Sequence, residues 1–374
     1  MNGKTPTVQA VFEVLEQEGL VEPGWRSHAA VQLAREADVQ PWYVRTMVGF
    51  GAWIASLLLI LFIGSMSALL FLGMGIKLDS LKQFAIAGFL LIAGAVLLRR
   101  VSSQDFMVQA ALAASLAGQA LFTLGVSDNR FETGLVTLIV IQAVLIVVFP
   151  DRVHRFLSVI FGVAAAVVLL FHWKMQMKLH VLVLGLTVIF LWLEANEERF
   201  IERGRTEFTQ PLAYGALIAM FGCVMLSTVY ILPELIRLGG FSFYPAPWVS
   251  SLGFGALLIY MQLHYWRQDQ LPLSGPLLVQ LQVASALIVA ASLPAPGIAA
   301  SLLVLLVGSA QSNRLLTGVG FAFLSVFLAG YFYGIEQSML DKSLTLTATG
   351  LLVLAAAFYF RFRLARLKED RDAQ

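Results

Sequence analysis

About twelve continuously apolar stretches, parted by short polar connections, leave this chain little choice of fold. They run over residues 46–75, 83–98, 106–126, 132–149, 156–172, 179–194, 212–232, 249–266, 275–294, 297–310, 315–335 and 344–362. A helix needs roughly 20 apolar residues to cross a hydrocarbon core. No water in that core can satisfy a backbone, so only a helix or a closed barrel can cross it. Barrel strands alternate apolar and polar residues. These runs are unbroken and rich in Leu, Ala, Val and Gly, so they read as helices. The expected fold is all-α and integral to the membrane, a polytopic bundle of about twelve transmembrane helices. The stretches at 83–98, 179–194 and 297–310 are short. Only Pro294-Ala295-Pro296-Gly297 parts the ninth from the tenth, which leaves open one broken helix or a re-entrant hairpin.

Charge is sparse: 13% of the 374 residues are charged and 59% are apolar. A soluble domain carries about a quarter charged residues. A net charge of +2 gives no footing for a nucleic-acid partner. The lone Cys223 forms no intrachain disulfide and reads as a small buried apolar residue.

The chain divides into a preface at 1–45, a first six-span half at 46–194 and a connecting loop at 195–211. A second six-span half at 212–363 and a tail at 364–374 follow. In the preface, Thr5-Pro6 can start a helix and Gly19 can end it, with Val8, Val11, Phe12 and Leu15 on one face. A second short helix follows from Pro23 with Trp25, Ala29 and Leu33. Such amphipathic helices lie on a membrane surface or dock on the bundle's own loops. Internal matches allow two parallel six-helix repeats. Arg155-Phe156-Leu157-Ser158 answers Arg314-Leu315-Leu316-Thr317, and Gln40-Pro41 answers Gln210-Pro211. Chance matching among leucine-rich helices is the alternative.

Catalytic signatures are missing: no H-E-x-x-H, G-x-S-x-G or C-x-x-C occurs. The five histidines form no i, i+4 pair, so no metal site or cofactor is expected, and no enzyme. No ionisable residue falls near the centre of a span, where ion or proton pathways are usually marked. Glu194 and Glu234 fall at span ends, where a solvated carboxylate is the ordinary expectation. Pro233-Glu234 with Arg237 reads either as a cavity mouth or as an exposed ion pair. Five amides lie deeper: Gln109, Gln119, Gln142, Gln280 and Gln282. An amide in hydrocarbon must find a partner, so these should face the bundle interior as helix-packing groups or as a polar pathway. Ala110, Ala114 and Gly118 form a small-residue stripe that permits close helix approach.

The entry to the first span, Pro41-Trp42-Tyr43-Val44-Arg45 leading into Gly49-Phe50-Gly51-Ala52-Trp53, resembles the bacterial multi-pass membrane family known as domain of unknown function 4401. Pro41, Trp42 and Tyr43 also suit an interfacial anchor, with the rings at headgroup depth. The resemblance implies an inner-membrane location, many spans and a small membrane-anchored protein partner; it carries over no activity and no catalytic residue. Two functions stay open. One is a transporter or flippase-like protein for a small or amphiphilic substrate, in contact with membrane lipid. The other is a non-catalytic scaffold or assembly subunit.

Of the 25 Lys and Arg, 18 fall on the side of the termini and 7 on the other. Positive charge concentrates on the cytoplasmic side, so both termini should be cytoplasmic. Reporter fusions after Gln374 and within 338–343 are expected to report opposite sides; a C-terminus outside the cytoplasm would sink the scheme.

Overall fold

The computed structural model describes residues 81–101, 105–127, 130–175, 177–227, 246–268 and 276–334, with a few isolated positions besides. The preface, the Pro41–Arg45 motif, nearly all of the first and twelfth expected spans, Glu234, Arg237 and the tail lie outside the described residues. Among the described residues every regular element is helical.

The helices are α1 Leu81–Val101, α2 Asp105–Ser127, α3 Phe131–Val148, α4 Arg152–His172, α5 Lys178–Ala195 and the single turn and a half of α6, Glu197–Glu202. They continue as α7 Thr206–Ser227, α8 Pro247–Gln268, α9 Pro276–Ala291, α10 Pro296–Ala310 and α11 Arg314–Gly334. Each stretch expected as a span between 83 and 335 is a helix. Seven are long and apolar enough to cross a membrane: α1 to α5, α7 and α11. α8 is as long but more polar, with Ser250, Ser251 and Gln262 inside it. α9 and α10 are separate helices of 16 and 15 residues, parted at Ser292–Ala295, and both pack on α8.

The chain divides into two compact units. Ile86–Ala120 lies in the first, and Leu121 onwards, with Leu81–Ala85, in the second. In the first unit α1 and α2 pack at Gly118, where an added Cβ would stand 2.8 Å from the Gly88 carbonyl oxygen and 2.9 Å from Ile92. Only glycine permits that approach. In the second unit the core gathers Val183 and Phe190 of α5, Leu217, Met220, Phe221 and Val224 of α7, and Phe254 of α8. α10 contributes Ala299, Ala300, Leu303, Val304 and Val307, all fully buried. The Phe221 ring stacks on Phe323 of α11 at 3.9 Å. Outward faces are apolar as well: Val136, Val140, Val144 and Val147 repeat along α3, all exposed. An apolar stripe of this kind needs lipid or another protein against it.

The polar connections of the second unit sort into two ends. Arg152 pairs with Glu207 at 2.9 Å, Gln311 Nε2 donates to the Glu194 carbonyl at 3.4 Å, and Asn313 Nδ2 donates to the Tyr214 hydroxyl at 3.3 Å. These join the loops after α3, α5 and α10. At the other end His172 meets Glu132 at 3.0 Å, and Ser251 donates to the Leu293 carbonyl at 2.9 Å. The ends of α3, α5 and α10 thus lie together at one end of this unit, and the end of α4 lies with the start of α3 at the other.

α7 starts at Thr206, earlier than the expected 212, and takes in Pro211. Proline has no N–H, so the Glu207 carbonyl loses its helical donor. Arg155 Nη1 donates to that carbonyl at 3.1 Å. Pro150, just past the end of α3, likewise leaves the Ile146 carbonyl without its donor, and Arg155 Nε fills it at 3.1 Å. The same guanidinium lies 5.1 Å from the Phe208 ring centroid. One side chain thus repairs two proline breaks and ties α3, α4 and α7 together. Arg155→Leu is expected to lower unfolding free energy by about 1–3 kcal/mol, because two carbonyls are left without donors. Arg155→Lys should recover part of the loss. Unfolding in detergent measures both, and an unperturbed Arg155→Leu variant would contradict the repair.

Candidate functional site

Polar side chains in the described bundle are mostly bonded to its own helices. Asp151 caps α4 by accepting from the His154 N–H at 2.9 Å, and the buried His154 ring bonds Ser158 at 3.1 Å and stacks on Phe149 at 3.9 Å. His180 of α5 meets Ser250 of α8 at 2.7 Å, both buried. The His180–Ser250 bond joins α5 to α8, whereas His154 and Ser158 both lie on α4, where the Phe149 stack ties α4 to the end of α3. No group of three or more His, Cys, Asp or Glu able to hold a metal occurs among the described residues.

Of the amides singled out in the sequence, Gln109 and Gln119 lie on α2, Gln142 on α3, and Gln280 and Gln282 on α9. Gln119 is buried, with Nε2 donating to Ser115 Oγ at 3.1 Å one turn back; Gln109 is half-buried. Gln142 is buried between α3 and α4, its Cβ 3.3 Å from where a side chain on Gly162 would begin. Gln280 and Gln282 are half-buried on α9, and Gln282 Nε2 reaches the Ile259 carbonyl of α8 at 3.5 Å. Within the second unit, α3 packs on α4 while α9 packs on α8, so Gln142 and Gln282 belong to different seams.

A cavity of about 310 Å³, partly open, lies instead among α8, α9, α10 and α11. Leu258, Ile288, Leu302, Leu305, Leu306 and Phe321 form its apolar wall. Four polar residues interrupt that wall: Gln262, Ser285, Ser309 and Thr317. Three have their hydroxyls engaged. Ser309 and Thr317 donate to carbonyls of their own helix turns, and Ser285 Oγ accepts from Gln262 Nε2 at 2.6 Å. The exception is Gln262 Oε1, buried and without a hydrogen-bond partner. An acceptor without a donor in a low-dielectric wall costs roughly 1–3 kcal/mol. A ligand bringing an N–H or O–H would relieve that cost. Sequence reasoning missed this pair. Gln262 sits near the end of its span, and its partner is 23 residues away on the next helix, so no local pattern marks it.

Seven helices long and apolar enough to cross a bilayer mark a helical membrane protein, and a partly open cavity lies among α8, α9, α10 and α11. The chain belongs to the family described as domain of unknown function (DUF4401), whose model matches residues 41–362. No curated protein and no solved structure matches the chain.

Interhelical side-chain hydrogen bonds in a folded membrane protein average about 0.6 kcal/mol. Gln262→Leu removes one such bond and also the open acceptor, so its unfolding free energy should stay within about 1 kcal/mol of wild type. A large loss in detergent unfolding would show that Gln262 is a packing residue and not a ligand-facing one.

Proposed function

We propose that this protein is a transporter or flippase-like protein of a bacterial inner membrane, taking a small amphiphile. The cavity among α8 to α11 carries the proposal. Its walls suit an acyl chain or similar apolar body, and Gln262 Oε1 suits a hydrogen-bond donor on the substrate's polar part. A cavity of about 310 Å³ is at the lower end of small-molecule sites, about 300–1,000 Å³. Lipid is the nearest reservoir of such molecules. The proposal includes twelve spans with both termini cytoplasmic, arranged as two six-helix halves. The tight α3–α4 and α10–α11 pairs, which occupy corresponding places in the two halves, support that arrangement.

A second reading is a scaffold or assembly subunit that works with a membrane-anchored protein. The His180–Ser250 bond favours it, since it ties α5 to α8 across a buried seam. Purification from the native membrane separates the two: a reproducible protein partner supports the scaffold, a bound small amphiphile the transporter.

The direct test is movement of a headgroup-labelled phospholipid between leaflets of proteoliposomes. Wild type should speed it, and Ile288→Trp, which fills the cavity from the half-exposed α9, should cut the rate by about tenfold or more, equivalent to about 1.4 kcal/mol. Wild-type vesicles no faster than empty ones would remove the transport reading.

A further inference from the structure

The end of the bundle that holds α6 contains a second arrangement of unsatisfied groups, lined by other residues than the cavity. Glu194, in the last turn of α5, is 8% exposed. Its sequence position suggested a solvated carboxylate, but it continues the buried stripe Val183, Thr187, Phe190 at four- and three-residue steps and so points inward. No cation among the described residues pairs with it. The charge that bears on it is another carboxylate, Glu197. Glu194 Oε2 is buried and accepts no hydrogen bond. Two further buried oxygens here, the Tyr265 hydroxyl and Gln311 Oε1, make no hydrogen bond of ordinary geometry, although the two side chains lie close enough to interact. The three residues stand together. Gln311 Nε2 donates to the Glu194 carbonyl at 3.4 Å, and the Tyr265 hydroxyl lies beside Gln311 and within electrostatic reach of Glu194.

We infer that Glu194, Tyr265 and Gln311 form a binding site for one small monovalent metal cation, of which sodium is the abundant example. The donor set is a carboxylate, a phenol and an amide carbonyl, all hard oxygens, with a single negative charge among them. Hard cations take such ligands. The helix ends agree. Glu194 lies in the last turn of α5, Tyr265 in the last turn of α8, and Gln311 caps the C-terminus of α10. Each C-terminus presents the negative end of its dipole. Three such ends converging on one buried carboxylate attract a cation and repel an anion. A divalent ion would need more than one carboxylate to balance it, and Glu197 is half-exposed on the separate turn of α6. On the α6–α7 side of Glu194 a hollow of about 10 Å³, lined also by Glu197, Thr209 and Tyr214, has room for about one water-sized particle. Tyr214 is engaged by Asn313 and completes the polar surround.

This binding claim stands independently of what the α8–α11 cavity carries. The test is the thermal midpoint of purified protein in detergent, in sodium chloride against choline chloride at equal ionic strength. A ligand of the native state raises the midpoint with its concentration. Sodium should raise wild type saturably by a few degrees. Glu194→Gln should lose the response, and Tyr265→Phe should keep the fold while needing about tenfold more sodium, the loss of one ligand being worth about 1.4 kcal/mol. Equal wild-type midpoints in the two salts overturn the site, as does a sodium response retained in Glu194→Gln. A wild type that responds to pH but not to sodium assigns the place to a proton and overturns the metal reading. If Glu194→Gln does not fold, Tyr265→Phe and Gln311→Leu decide: unchanged sodium responses in both reject the proposal.

Discussion

A helix already in lipid gains no hydrophobic energy by moving against another helix, so close packing has to hold such a bundle together. Here that packing centres on α10. It is only 15 residues long, yet nine of them are buried. Small residues make this possible. A side chain on Gly297 would run into the Phe327 ring of α11, 2.2 Å away, and one on Gly308 would stand 2.7 Å from the Thr317 backbone nitrogen. At these two points the backbone of α10 lies against α11 with nothing between. The larger side chains that fill the space around it, Phe221, Phe254 and Phe327, come from its neighbours α7, α8 and α11. A short helix that cannot reach both faces of a bilayer is thereby held by helices on several sides. The same closeness leaves α10 little contact with lipid, which removes the need for it to match the bilayer in length.

Backbone and side-chain polarity impose the second constraint, because hydrocarbon offers no replacement partner. The chain meets it locally where it can. Ser301 donates to the Gly297 carbonyl and Thr187 to the Val183 carbonyl, each one turn back. Where proline breaks the helical ladder, a distant donor is brought in, and Arg155 serves both breaks. Across the α5–α8 seam His180 bonds Ser250. Of the buried oxygens that make no ordinary hydrogen bond, four fall on or beside α8 and α10 or their neighbour α5: Gln262 Oε1, Glu194 Oε2, the Tyr265 hydroxyl and Gln311 Oε1. They occur in two places, and both places involve α8 and α10.

The helices were legible because continuous apolarity over a bilayer's thickness favours them: each stretch from the second to the eleventh carries a helix in its described residues, and seven of these are long and apolar enough to cross a membrane. Boundaries were less so. Pro211 reads as the start of a helix and lies inside one, since the donor that makes this tolerable, Arg155, is 52 residues earlier than the carbonyl it serves. The close approach at Gly118 was visible as a small-residue stripe. Glu194 carried a readable signal, its step from Phe190 along the buried face, but its place at a span end suggested water. Gln262 and Ser285 carried none, because what makes them notable is a helix pairing that no local pattern encodes. Depth alone does not say which seam a side chain enters: within the second unit Gln142 belongs to the α3–α4 seam and Gln282 to the α8–α9 seam.

The two sets of open groups are mechanically joined. On α8, Tyr265 follows Gln262 by three residues, so both lie on one face of one helix. On α10, Ser309 lines the cavity and Gln311 caps the helix two residues later. α10 is packed too tightly against α11 at Gly297 and Gly308 to yield at one end alone, so a shift of its C-terminal turn carries Ser309 and Gln311 together. An occupant that displaces α8 from α10 in the cavity therefore also changes the distance between Tyr265 and Gln311, two of the three oxygens around Glu194. Coupling of binding free energies is reciprocal: whatever a cation at Glu194 does to affinity in the cavity, an occupant of the cavity does to affinity for the cation. The geometry thus joins a ligand-sized hollow to a charged site through two rigid helices, the minimum that coupling between them requires.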